Sequence, residues 1–344
     1  MDKKVSFHII NSIKGGAGKS TFALMLANYL IQKDKKATIV DLDLQGSSWQ
    51  ENYKEFFEDI KKDKIFEEDN NSKTVEKSKK DIYINDLMYL FSNELIDDTL
   101  RHIKVESMVS KDEKETVKSH SIPVYIASPK VDRVDDVQTD LFQNAIYRVI
   151  TNVINSNSED EIHIILDMPP SKDRYAEVIV TQLLLDINSP LYKEISSKFE
   201  YKVNLYMMTN LTASHRDKNI NYLKDLARNR SFSDASVYFI KNKRFKLFFI
   251  FNDLSKISAF DASDESIKEK IIKEVENELK RISFSKDIDT TSFSKVWFLK
   301  HEMLAHKNQV FRMLHEKSLR DSAIKIDSNT NTTFNEFMDK IKLV

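Results

Sequence analysis

Apolar residues along the chain fall into short continuous runs that alternate with segments of helical spacing. The runs predict buried strands at Val5–Asn11, Ala37–Asp41, Pro123–Ser128, Ile162–Asp167, Val203–Thr209, Phe245–Asn252 and Val296–Leu299. The helical spacing predicts helices over Thr21–Gln32, Ile84–Ile103, Val137–Ile154, Asp217–Ala227, Ser266–Ile282, Ala305–Leu319 and Thr333–Leu343. Strands that alternate with helices predict an α/β fold, with a doubly wound, mostly parallel sheet flanked by helices.

Two stretches interrupt this alternation. The stretch at about 51–80 is dominated by charged residues and has few apolar anchors, so we interpret it as an insertion. Val105–Ser119 is a second polar stretch, and we predict a loop at about 105–120. Because both stretches are interpreted as connections within one sheet, we expect residues 1–344 to form a single domain.

The amino-acid composition and net charge of the chain exclude several classes of protein and of functional site. The chain is 41% hydrophobic and 31% charged, which suits a soluble globular protein with a substantial core. No run of eighteen apolar residues and no signal-peptide pattern is present, so the cytoplasm is the default compartment. The absence of cysteine excludes disulfides, iron–sulfur clusters and thiol nucleophiles. With a net charge of −1, nucleic-acid binding would require a local basic patch.

Glycine is rare, and its placement indicates a phosphate-binding loop. Of four glycines, three lie in the run Lys14–Ser20, between a predicted strand and a predicted helix. The strict P-loop spacing fails, because Ile13 stands where its first glycine belongs. Glycines still let backbone N–H groups converge on phosphates, and the helix N-terminus favours anions. We predict phosphate binding by Gly15, Gly16, Ala17, Gly18, Lys19, Ser20 and Thr21, with Ser20 also a Mg²⁺ ligand.

An additional lysine precedes these glycines. The order Lys-Gly-Gly-x-x-Lys-Ser at Lys14–Ser20 resembles the deviant Walker A motif of the ParA/MinD family of P-loop ATPases. The resemblance implies ATP and Mg²⁺ as cofactors and an ATP-dependent sandwich homodimer. It also implies that Lys14 acts in the partner's site, as an arginine finger does. The resemblance extends from residue 5 to about 320 and is weakest over 51–120.

A pair of acids follows the second predicted strand. Asp41–Ser47 is similar to the Asp-x-Asp-Pro-Gln motif of ParA-type members, with Leu44 in place of the proline. In the family the second acid helps to position the attacking water. The resemblance therefore makes Asp43 a catalytic candidate beside Lys14 and Lys19. A turn-forming aspartate is the structural alternative.

Two later strands also end on polar residues. His163–Ser171 is an apolar strand followed by Asp167 and a Pro-Pro turn, an arrangement that resembles a Walker B motif. We expect Asp167 to hold Mg²⁺ together with Ser20. Asn252 and Asp253 follow another strand, and the resemblance makes them candidates for binding adenine. An ordinary Asn-Asp turn explains that pair equally well.

The motifs do not specify what the ATPase acts on. By resemblance we favour a ParA-like protein of plasmid or chromosome partition, which binds nonspecific DNA and is activated by a ParB-like partner. Candidate phosphate contacts are Lys241, Lys243, Arg244, Lys246, Arg320 and Lys325. One alternative is a MinD-like protein anchored to a membrane through Thr333–Val344, although its mixed charges favour a packed helix. The other is a superfamily member with a task other than segregation, either a protein switch or a metabolic ligase or kinase. Such ligases and kinases usually lack a lysine at the position of Lys14.

Overall fold

A computed structural model describes residues 3–44, 47, 49, 53–57, 82–90, 92–111, 114–128, 139–170, 179–209, 213–252, 265–282, 294–298 and 323–341. Several predicted features lie outside these residues. They are most of the insertion at 51–80, the helix Ala305–Leu319, and the individual residues Gln45, Gly46, Asp253 and Arg320.

The described residues form nine strands of one sheet. In chain order they are β1 (Lys3–Asn11), β2 (Lys36–Asp41), β3 (Leu100–Lys111), β4 (Lys114–Tyr125), β5 (Glu161–Asp167), β6 (Phe199–Thr209), β7 (Phe245–Phe251), β8 (Ser294–Phe298) and β9 (Ile324–Ile326). Their spatial order is β8-β7-β6-β1-β5-β2-β4-β3-β9. The neighbours from β8 to β4 are parallel, whereas β3 is antiparallel to β4 and β9 is parallel to β3. The predicted doubly wound, mostly parallel sheet is confirmed.

Helices cover both faces of this sheet. They are α1 (Lys19–Gln32), α2 (Thr139–Asn155), α3 (Pro190–Ser196), α4 (Ala213–Arg228), α5 (Arg230–Lys241), α6 (Glu265–Lys280) and α7 (Ser328–Ile341). Side chains alternate across a strand, so Phe7 and Ile9 of β1 enter the core that α2 to α6 cover. Ile10 enters the opposite core, under α1 and α7. Strands buried on both faces explain why the apolar runs of the sequence are continuous.

The largest error of the sequence prediction concerns 84–125. The predicted loop at Val105–Ser119 is instead the hairpin of β3 and β4, and the predicted helix Ile84–Ile103 consists of short 3₁₀ turns that lead into β3. The apolar residues there alternate with polar ones, and Ile103 and Val105 are buried. This period of two is typical of a half-exposed antiparallel pair, and the high charge content concealed it. The hairpin also extends the predicted strand Pro123–Ser128 toward the N-terminus.

The ends of the fold also differ from the prediction. Helices α3 and α5 were not predicted, and β9 adds a strand after the predicted last strand, Val296–Leu299. The predicted C-terminal helix is present as α7, and it is packed rather than free. Phe334 is fully buried against Phe22 and Tyr29 of α1, and the Tyr29 hydroxyl donates a 2.7 Å hydrogen bond to Asp339. Among the described residues, no helix is both long and apolar enough to cross a membrane.

Candidate functional site

The predicted phosphate loop lies between β1 and α1, at the carboxyl edge of the parallel strands. Gly16 and Gly18 have φ values of 75° and 81°, in the left-handed region that glycine adopts without strain. Gly18 is the N-cap of α1, with no side-chain cap and no acid in the first helical turn. The first N–H groups of α1 therefore point to a position suited to an anion.

The Walker B-like turn approaches this loop directly. A Cβ atom on Gly15 would lie 3.9 Å from the Cβ of Pro170, in van der Waals contact. Asp167, which ends β5, lies beside Ile10 of β1 and Asp41 of β2 in the sheet register. The strand order thus brings the three sequence motifs to one edge, as expected where a doubly wound sheet reverses its direction of growth.

The candidate metal position is built around Asp167. Burial raises the pKa of this carboxyl, while the charge of Lys19 and hydrogen bonds with Ser20 and Trp49 favour its charged form. The Trp49 indole donates a 2.8 Å hydrogen bond to Oδ2. The other oxygen, Oδ1, is buried and has no hydrogen-bond partner within the described residues. A carboxylate oxygen beside a serine hydroxyl suits Mg²⁺, so the residues present fit the predicted ion.

Asp41, rather than Asp43, is the acid buried beside Asp167. It accepts hydrogen bonds from the Ser47 hydroxyl, from the Asp43 backbone N–H at 3.1 Å and from the Ala127 backbone N–H at 3.3 Å. Burial and the nearby Asp167 carboxylate raise the pKa of Asp41 to about 8. Asp41 therefore organises the turn on which the half-buried Asp43 is displayed. The catalytic role of Asp43 stays a prediction.

The start of the phosphate loop is attached to α4. Lys14 Nζ donates a 2.8 Å hydrogen bond to the Ser214 hydroxyl, at the N-terminal end of that helix. The Ile13 backbone N–H donates a 3.0 Å hydrogen bond to Asn219 Oδ1, and Asn219 Nδ2 donates a 2.8 Å hydrogen bond to the Met208 carbonyl of β6. Within the described residues, the lysine that distinguishes the motif is thus held by the Ser214 hydroxyl, in an exposed contact.

Asn252 touches the phosphate loop itself. Its Nδ2 donates a 2.7 Å hydrogen bond to the Ala17 carbonyl, and its backbone N–H donates to the Thr209 carbonyl at 2.6 Å. Its Oδ1 is buried and without a hydrogen-bond partner in the part of the chain that is described. This position beside the loop is compatible with adenine binding, which stays a prediction, while Asp253 lies outside the described residues.

Three polar residues of this region were missed by the sequence analysis. Trp49 and Asn219 make the contacts given above, and Asn11 is fully buried at the end of β1 with neither side-chain atom hydrogen-bonded to a described residue. A tryptophan at the start of a charged stretch was a usable signal. An asparagine inside a helical pattern, as at Asn219, was a second one, because asparagine is a poor residue for a helix interior.

The proposed basic residues lie far from this edge of the sheet. Lys241 ends α5 and Lys246 is near the start of β7, so the cluster of Lys241, Lys243, Arg244 and Lys246 lies at the amino edge of the parallel strands. Lys325 is on β9, at the end of the sheet. Lys241, Lys243 and Lys246 are exposed, Arg244 is half-buried, and the role of the cluster stays a prediction.

The chain matches a known family of nucleotide-binding domains. Residues 8–282 match the family model of the CobQ/CobB/MinD/ParA nucleotide binding domain. The chain belongs to this family. The resemblance stated from Lys14–Ser20 is thereby confirmed at the level of the family, and so is its nucleotide-binding fold. The match spans β1 through α6 and includes the phosphate loop, Asp43 and Asp167.

Several solved structures are similar to the chain at low identity. The cell division ATPase MinD of Pyrococcus furiosus is 12% identical over 99% of this chain and 100% of its own, with a TM-score of 0.45. A plasmid partition protein of Borrelia burgdorferi is 14% identical over 98% and 99%, with a TM-score of 0.43. MinD of Pyrococcus horikoshii, complexed with Mg-ADP, is 12% identical over 99% and 97%, with a TM-score of 0.41. No curated protein matches the chain, and the family assignment rests on the family model.

Proposed function

We propose that this protein is a Mg²⁺-dependent ATPase of the ParA type, which dimerises when it binds ATP. The observation that carries the proposal is the grouping of Lys19, Ser20 and Asp167 at the mouth of a glycine loop, where Asp167 Oδ1 has no hydrogen-bond partner among the residues that the structure describes. A lysine for phosphate oxygens, a hydroxyl and a carboxylate for the metal, and the N-terminus of a helix are the parts that bind a nucleoside triphosphate.

Each residue then has a separate task. The amides of Gly15–Gly18 and the Lys19 ammonium bind the phosphates, Ser20 and Asp167 hold Mg²⁺, and Asp43 orients the attacking water. Bound Mg²⁺ supplies neutralisation of charge on the phosphate oxygens. Lys14 crosses to the partner's phosphates, for which it exchanges its exposed hydrogen bond with Ser214.

The test is Lys14→Ala, compared with Lys193→Ala, an exposed lysine on α3. Sedimentation velocity and ATP turnover would be measured for both variants and for wild type, with Mg²⁺ and ATP or ADP. We expect the wild type and Lys193→Ala to dimerise with ATP and hydrolyse it, and Lys14→Ala to lose one or both properties while it remains folded. ATP-dependent dimerisation and turnover at wild-type levels in Lys14→Ala would contradict the role across the dimer.

For the cargo we propose nonspecific DNA, in plasmid or chromosome partition in the cytoplasm, with a ParB-like protein as activator of hydrolysis. The proposal is supported by the ParA-like order of residues at Asp41–Ser47 and by the exposed Lys241 and Lys243. Phosphate contacts of this kind weaken as salt is added, because bound counterions are released. Co-sedimentation with DNA should therefore require ATP and decrease with salt concentration.

A liposome control addresses the membrane alternative in the same experiment. The apolar residues of α7 that could enter a bilayer, Phe334, Phe337, Met338 and Ile341, are all buried in the core under that helix. An anchoring helix needs such a face free. We therefore expect no ATP-dependent binding to liposomes, and binding to liposomes without binding to DNA would contradict the proposed cargo.

A further inference from the structure

A tryptophan is in direct contact with the candidate metal-binding carboxylate. Trp49 is fully buried, and its Nε1–H donates to Asp167 Oδ2 at 2.8 Å. An indole N–H can only donate, and it is held in the plane of a rigid ring. The hydrogen bond therefore fixes which oxygen of Asp167 faces the ring. The remaining oxygen, Oδ1, is the one that has no partner among the described residues.

The indole is itself held in place by the next aromatic side chain. The Tyr53 ring lies against Trp49, with 4.8 Å between centroids and 33° between planes, and Tyr53 is 4% exposed. The Tyr53 hydroxyl is hydrogen-bonded with Thr21 in the first turn of α1, directly after Ser20. Trp49 and Tyr53 thus join the chain that follows Asp43 to Asp167 and to Thr21, the residue next to Ser20.

We propose that Trp49 is the positioning residue of the metal site, which holds Asp167 so that Oδ1 faces the Mg²⁺ of a bound nucleotide. The inference rests on the proposed function, because the ion is expected only with a nucleotide. Partners that orient a ligating carboxylate typically change metal affinity by about tenfold to a hundredfold when they are removed. Trp49 acts on Mg²⁺ through Asp167 alone, whereas the phosphates are bound by the loop and Lys19.

This division of roles gives the proposal a specific signature. Without Trp49 the carboxylate keeps its place on β5, but it loses the hydrogen bond that fixes its rotation. Binding of ADP in the absence of metal should therefore be unaffected, while the Mg²⁺ requirement rises. If Trp49 had a purely structural role in the core, its removal would weaken the binding of both ADP and Mg²⁺, because the phosphate loop and Asp167 share the same packed edge of the sheet.

The experiment compares wild type with Trp49→Phe, which keeps an aromatic ring on Tyr53 and removes the N–H. Trp297→Phe is the matched control, because it makes the same change at the other tryptophan of the chain, on the edge strand β8. A fluorescent ADP derivative is titrated in EDTA, and MgCl₂ is then titrated at saturating ADP. We expect equal ADP affinity in EDTA for all three proteins, and a half-saturating Mg²⁺ concentration about tenfold higher for Trp49→Phe alone.

A second measurement keeps the test decisive if Trp49→Phe does not fold. In Trp297→Phe the emission comes from Trp49 only, and we expect it to change with Mg²⁺ at the midpoint found with ADP. An unchanged Mg²⁺ midpoint in folded Trp49→Phe, or Trp49 emission insensitive to Mg²⁺ that binds, would overturn the proposal while leaving the proposed function intact. Failure of the wild type to bind ADP at all would overturn both.

Discussion

Asn219 should stabilise the phosphate loop from outside the motif. It is 1% exposed, and its side chain joins the Ile13 N–H at 3.0 Å to the Met208 carbonyl at 2.8 Å. Asn219→Ala removes both bonds and leaves a donor and an acceptor unpaired. A buried group left without a partner costs about 1–3 kcal/mol. Ile13 is half-buried, so water can reach its N–H and we take about 1 kcal/mol for it, whereas the fully buried Met208 carbonyl takes the whole range, which gives about 2–4 kcal/mol in total.

A loss of this size is a large share of the about 5–15 kcal/mol that stabilises a typical domain. Urea unfolding followed by circular dichroism measures it as a lower midpoint. Asn242→Ala is the matched control. The Asn242 side chain is exposed and donates a hydrogen bond to the Tyr238 carbonyl, and water can replace that hydrogen bond. A wild-type midpoint for Asn219→Ala would refute the reasoning. The variant should also bind Mg-ATP more weakly, because the loop loses its attachment to α4.

Two further predictions concern stability. Phe334→Ala should cost about 3–5 kcal/mol in urea unfolding, because it empties a fully buried position between α1 and α7, whereas Val117→Ala, at an exposed site, should have little effect. The pKa of Glu161 is lowered to about 2, because His163 and Lys35 favour the charged carboxylate. Since the pKa is about 4.3 when the chain is unfolded, this stabilisation is present above that pH and is lost toward pH 2. Glu161→Gln should flatten the profile of stability against pH in this window, and an unchanged slope would contradict the assignment.

Continuous apolar runs made the parallel strands predictable from the sequence. Both faces are buried in five of these strands, β1, β2, β5, β6 and β7. Burial on both faces favours apolar side chains at successive positions in the centre of a strand. The phosphate loop was predictable for a different reason. Two of its three glycines, Gly16 and Gly18, adopt backbone angles that other residues rarely do, and the sequence has just one further glycine, Gly46.

The hairpin of β3 and β4 was not predictable from continuous apolar runs. One of its faces is polar, so charge content concealed an alternation that is typical of strands. The sequence marks Trp49 and Asn219 as unusual residues for their positions, but it does not indicate which residues they contact. Their importance comes from partners 118 and 206 residues away in the chain, Asp167 and Ile13. No local pattern encodes such contacts, and only the fold brings the residues together.

The central claim is that Lys19, Ser20 and Asp167 form a Mg-nucleotide site. It is tested most directly by isothermal titration of ATP into the wild type and into Lys19→Ala, each with Mg²⁺ and with EDTA. We predict one ATP per chain for the wild type, bound more tightly with Mg²⁺ than in EDTA, and loss of this binding in a folded Lys19→Ala. Equal binding by both proteins, or no binding by the wild type under either condition, would contradict the account.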